Sequence, residues 1–193
     1  MKKQINLAEI INKLPDADRA GTASKFTGPA PDEAKKLVAA VLSGGRAAIL
    51  ELAEMIRDAN GKGEKNFKPG YLLHAVALRV GDKGREKERR VFAEALASLL
   101  GGAKPSPGAQ EYLLRELQCA GGPEVVKTLG ALLEKPGLWE HALSALVAIG
   151  TGAGEPLRKA LLDSKGPRRL AILQALGTLR DAASTGALAT ATG

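Results

Sequence analysis

The sequence predicts an all-α fold, an α-α superhelix of about four helix pairs behind an N-terminal helical segment. Three observations predict it. Hydrophobic residues make up 45% of the 193 residues but aromatics only 3%, which suits thin layers of Leu and Ala on helices better than strands. Apolar residues recur at three- and four-residue spacing, with Gly or Pro at almost every break. The chain also overlays on itself with a period near 30 residues, the mark of a repeat architecture.

Residues 5–14 read as a short amphipathic helix, with Leu7, Ile10, Ile11 and Leu14 on one face and Asn6 with Glu9 as a capping box. Pro15 to Pro31 is rich in Gly, Pro, Ser, Thr and Asp and reads as linker. The chain therefore divides into an N-terminal helix and linker, 1–31, and a helical array, 32–193. Leu37, Val38, Val41 and Leu42 mark the next helix, and Ile49, Leu52, Ala53 and Ile56 the one after it. Residues 60–68 form a polar, basic loop. Helices are then expected at 69–80, 85–100, 108–120, 123–134, 138–149, 155–163, 167–179 and 182–191. Their short connections make antiparallel neighbours.

Gly108 to Gly121 falls on Gly137 to Gly150 without a gap at an offset of 29, so that Leu114 matches Leu143 and Leu117 matches Leu146. Leu143, Leu146 and Ile149 match Leu173, Leu176 and Leu179 at an offset of 30. Tyr71-Leu72-Leu73 echoes Tyr112-Leu113-Leu114 across a longer connection. The pairs are 46–81, 85–121, 122–150 and 152–180, with 32–43 covering the N-terminal end. A single pair cannot bury its apolar flank, so pairs must stack. Asp181 to Gly193 reads as half of a further pair, which suggests a fragment of a longer chain.

The segments GPEVVKTLGALLEKPGLWEHALSALVAIG and GEPLRKALLDSKGPRRLAILQALGTLRD resemble bacterial HEAT-like repeats of the short, PBS-lyase type. The resemblance is good over 108–193 and weaker over 32–107, where the spacing departs from the pattern. It implies a HEAT- or armadillo-like solenoid and a scaffold role with no particular ligand. It also implies that the second helix of each pair lines the concave face. Outward positions there are His74, Arg79, Glu111, Arg115, Gln118, Trp139, Glu140, Ser144, Arg168 and Gln174. They form the expected contact surface for a protein partner, although a charged helix face is ordinarily only solvated.

The formal net charge is +7, and the span from Lys62 to Arg90 holds nine Lys or Arg against four Asp or Glu. Nucleic acid is therefore the alternative partner, through the basic 62–90 segment. Interleaved Glu64, Asp82, Glu86 and Glu88 weaken it, with Glu86 and Arg90 expected to pair at i,i+4. Trp139 is expected to pack between helices. Arg169 is expected to pair with Asp163 between repeats. Cys119, the only cysteine, is expected in the core without a base beside it. The two histidines, His74 and His141, lie in different repeats, so neither a metal site nor a cofactor is expected. Gly150 to Gly154 has helices on both sides and reads as a cap and turn, not a phosphate loop. No residue pattern supports a catalytic role, whether chromophore lyase or DNA glycosylase. No apolar run reaches membrane-spanning length. Met1-Lys2-Lys3 opens like an export signal, but Asn6, Glu9 and Asn12 interrupt it. The chain reads as cytosolic, or as the mature part of an exported protein.

Overall fold

A computed structural model describes residues 5–15, 28–56, 67–100, 105–186 and 189. Among these the protein is all-α, with no strand and ten α-helices. Helix α1 is Leu7–Asn12, opened by Asn6, whose side-chain oxygen accepts from the Glu9 N–H at 3.3 Å and whose amide donates to the Glu9 carboxylate at 3.1 Å. Helix α2, Pro31–Ser43, starts on a proline with Asp32 and Glu33 in its first turn, both suited to a helix N-terminus. Helix α3 is Gly45–Glu54, α4 is Phe67–Gly81 and α5 is Glu86–Leu100. Helix α6, Pro107–Ala120, is capped by the Ser106 hydroxyl, which accepts from the Ala109 N–H. A 3-10 turn at Pro123–Val125 leads into α7, Val126–Leu132. Then follow α8 (Trp139–Ile149), α9 (Gly154–Asp163), α10 (Gly166–Thr178) and a 3-10 turn at Ala182–Ser184.

The helices form two rows. Helices α2, α4, α6, α8 and α10 pack on one another in that order, and α3, α5, α7 and α9 do the same. The rows are joined through α3 with α4, α5 with α6, α7 with α8, and α9 with α10. Helix α1 sits against α2, α3 and α4 at one end. The cause is the repeated apolar slot. Val76, Leu117, Leu146 and Leu176 occupy one repeat position on α4, α6, α8 and α10, and all four are completely buried. Each buried Leu of this kind is worth about 1.5–3 kcal/mol, gained only when the next pair covers it.

Element positions follow the sequence expectation closely. The loop expected at 60–68 ends earlier, because Phe67 and Lys68 already belong to α4 and Pro69 sits in its first turn, where a missing N–H costs nothing. The rest of that loop, most of the linker before Pro31 and most of the segment after Gly186 lie outside the described residues. No described helix is long and apolar enough to cross a membrane.

Candidate functional site

The second helices of the four pairs, α4, α6, α8 and α10, place one repeat position in a ladder: His74, Arg115, Ser144 and Gln174, all exposed. Arg79, Gln118 and Glu140 are exposed beside them, while Glu111 and Arg168 are half-buried. Trp139 is half-buried and packs against the core, as expected. Ser144 turns back on its own helix, its hydroxyl donating to the Glu140 carbonyl at 2.9 Å. At the N-terminal end of this row a groove of about 780 Å3 opens between α2, α4 and the start of α5, with Val38, Leu42, Ala75 and Leu78 on its apolar wall. Leu78 is 55% exposed.

The strongest polar constellation lies at the α4/α6 seam. His74 Nδ1 is 3.0 Å from Glu116 Oε2. Glu116 is 3% exposed, the one acidic or basic residue buried among the described residues. Beneath it the Tyr112 hydroxyl donates to the Gly70 carbonyl at 2.7 Å. A Cβ on Gly70 would come within 3.2 Å of that hydroxyl oxygen, so glycine lets the tyrosine in. One turn further along α6, Cys119 completes the group: the ligand atoms of His74, Glu116 and Cys119 all lie within 4.8 Å of one another. Burial pushes the Glu116 carboxyl above the usual carboxylate range, although the hydrogen bond and charge of His74 pull the other way. Burial, with the neighbouring Glu116 charge, raises Tyr112 well above an ordinary phenol. The same two causes, in the same order, raise the Cys119 thiol, which disfavours a free thiolate nucleophile.

This cluster corrects two sequence readings. Cys119 is exposed, not in the core. His74 and Cys119 belong to different repeats, yet stacking brings both to Glu116. The overlooked signal was Glu116 itself. At its repeat position the other second helices carry Ala75, Ala145 and Ala175, so a carboxylate stands where the pattern asks for a methyl group. A second, looser contact joins α6 to α8, with His141 Nε2 3.9 Å from Glu111 Oε2.

Two further expectations are corrected. Arg90 pairs forward with Glu94 at 2.8 Å, not back with Glu86, whose carboxylate accepts from the Gly84 N–H. Arg169 donates to the Leu161 carbonyl at 3.1 Å and makes no pair with the Asp163 carboxylate. Arg168 reaches the Asp163 and Leu133 carbonyls at 3.4 and 3.5 Å. Both arginines thus serve carbonyls at helix C-termini, where a cation is favoured. The carboxylate clasps between units lie elsewhere. Arg89 on α5 grips Glu124 at 2.7 and 3.2 Å. Arg158 on α9 grips Asp181 at 2.6 and 2.7 Å. A glycine floors each clasp: a Cβ on Gly122 would strike the Arg89 guanidinium, and one on Gly154 the Asp181 carboxylate.

Four of the nine cations of the basic segment, all of them its arginines, are held in ion pairs. Arg79 bonds Asp82, Arg85 bonds Glu88, Arg89 bonds Glu124 and Arg90 bonds Glu94. Its Lys62 and Lys65 lie outside the described residues. Neutralised arginines release fewer counterions from a phosphate backbone, which weakens the nucleic-acid reading. No family model matches the chain, and neither a curated protein nor a solved structure matches it.

Proposed function

We propose that this chain is a HEAT-like helical-repeat scaffold, without catalytic activity of its own, that holds a protein partner on the face of its second-helix row. One observation carries the reading. Four helices packed side by side present the same repeat position, as His74, Arg115, Ser144 and Gln174, to solvent. Such a ladder offers chemically varied groups at regular intervals, which suits an extended polypeptide surface better than a small molecule. The groove beside Leu78 adds an apolar foothold at one end, and burial of apolar surface is the dominant favourable contribution in most protein association.

The test is a binding measurement on a partner isolated with the full chain. Arg115→Glu combined with Gln118→Lys alters the ladder face without touching the core. Affinity is expected to fall by about tenfold or more, the usual effect of losing central contacts. A control pair on the other row, Lys159→Glu with Lys127→Glu, is expected to leave binding unchanged. Undiminished binding by the ladder variant, with loss in the control, overturns the reading.

A further inference from the structure

We infer that His74, Glu116 and Cys119 form a binding site for a borderline-soft divalent transition ion of the zinc class, with the remaining coordination position open to solvent.

The donor set is the first ground. One imidazole nitrogen, one carboxylate oxygen and one thiol sulfur converge from two helices, with His74 Nδ1 to Glu116 Oε2 at 3.0 Å and all three donor atoms within 4.8 Å of one another. Zinc–nitrogen, zinc–oxygen and zinc–sulfur bonds at tetrahedral angles require donor separations of about 3.3–3.6 Å. The observed spacings bracket that range, so side-chain adjustments suffice. Mixed N, O and S ligation selects zinc-like ions over magnesium or calcium, which demand oxygen.

The second ground is the anomaly of Glu116. The repeat places alanine at its position on α4, α8 and α10. A carboxylate there is buried, and a buried anion is costly unless a cation compensates it. Glu116 and Cys119 are three residues apart on α6, hence on one face a turn apart. This is the i,i+3 arrangement by which helix bundles bring two ligands to one ion.

The third ground is support and access. The Tyr112 hydroxyl donates its one proton to the Gly70 carbonyl, which fixes the ring in the wall of the site beside Glu116. His74 and Cys119 are exposed, so an ion can enter from solvent. Binding exchanges the thiol proton for the ion, with no change in oxidation state: the S–H bond breaks, the metal–sulfur bond forms and the proton goes to buffer. The site shares His74 with the ladder, but ion binding needs no partner and is tested without one.

Cobalt(II) is the probe, because its spectrum reports coordination number and thiolate ligation. Titration of the reduced full chain is expected to reach one equivalent, with a thiolate-to-metal charge-transfer band and the d–d absorption of a four-coordinate ion. Zinc(II) is expected to displace it. Cys119→Ser and His74→Ala alter exposed side chains and leave the fold intact by circular dichroism. The first removes the charge-transfer band and each weakens binding severely. His141→Ala, at the other histidine, leaves it unchanged. Cobalt bound without a thiolate band, no binding at all, or an affinity in Cys119→Ser or His74→Ala equal to that of the parent chain overturns the inference.

Discussion

The α4/α6 seam and the α8/α10 seam use the same repeat positions and fill them differently. At the first, Glu116 is enclosed by His74, Tyr112 and Cys119. At the second, Ala175 takes the place of Glu116, Ser144 that of His74 and Thr178 that of Cys119. Both seams close on buried aliphatic residues at matching repeat positions, Leu73, Val76, Leu114 and Leu117 at the first and Leu143, Leu146, Leu173 and Leu176 at the second, so stacking does not need the polar group. The comparison separates two jobs within one architecture. Apolar positions fix how pairs lie together, and a polar residue in a packing position marks a place where something else is selected.

The largest test transplants the anomaly. Ala175→Glu puts a carboxylate at a position only 5% exposed, opposite a serine slot that offers no cation. It is expected to cost about 3–5 kcal/mol, the penalty of an uncompensated buried charge, in urea unfolding. An equal cost for the reverse change would erase the distinction between the seams.

Next come the clasps of the other row. Arg89→Ala strips Glu124, whose side chain is 10% exposed, of two charge-assisted bonds and is expected to cost about 1–3 kcal/mol. The pair also has a pH signature. Burial pushes Glu124 upward, but the Arg89 hydrogen bond, a backbone hydrogen bond and the charges of Arg89 and Arg90 together hold the carboxyl below the usual range. The folded state therefore binds its proton less readily than the unfolded chain. The clasp's contribution is complete above the ordinary glutamate range and disappears as pH falls through the lowered folded value. Urea midpoints measured down that acid limb should fall less steeply in Arg89→Ala than in the parent chain.

A smaller effect concerns the helix ends. Gly150 closes α8 at φ 70°, and Arg180, 30 residues on, adopts φ 51° at the same repeat position after α10. The left-handed conformation costs a side chain about 1–2 kcal/mol, so Arg180→Gly is expected to raise the thermal midpoint by a gain of up to about 1 kcal/mol. The smallest change restores the repeat at the first seam. Glu116→Ala leaves Tyr112 bonded to Gly70 and frees a half-exposed His74 into water. Metal-free stability should move by less than about 1 kcal/mol, because a buried ionic contact replaced by an apolar group is often neutral.

The sequence made the helices legible because Gly and Pro interrupt a clear apolar period, and the ladder legible because repeat positions predict exposure. It hid the seam chemistry. His74 meets Glu116 across a span of 42 residues, a contact created by how two pairs stack and not by any spacing within one. Cys119 departs from the core expectation for another reason: it lies one turn beyond Arg115 on the outward face of α6, where its repeat equivalents Leu78, Ala148 and Thr178 are also exposed, so position outweighs the usual burial of cysteine. The Arg169 expectation failed because carbonyls at a helix end competed with a carboxylate for the guanidinium. The Ala-to-Glu departure at position 116 was the one readable sign, visible once the repeats are aligned.

The stacking of the two rows is most directly tested by distances along the ladder. In a Cys119→Ser background, pairs of spin labels on His74→Cys, Ser144→Cys and Gln174→Cys can be measured by pulsed electron resonance. Neighbouring packed helices lie about 8–10 Å apart. The separation is therefore expected to rise from about 20 Å between positions 74 and 144 to about 30 Å between 74 and 174. A 74–174 distance equal to or shorter than 74–144 would mean that the helices close into a bundle, and would contradict the stack.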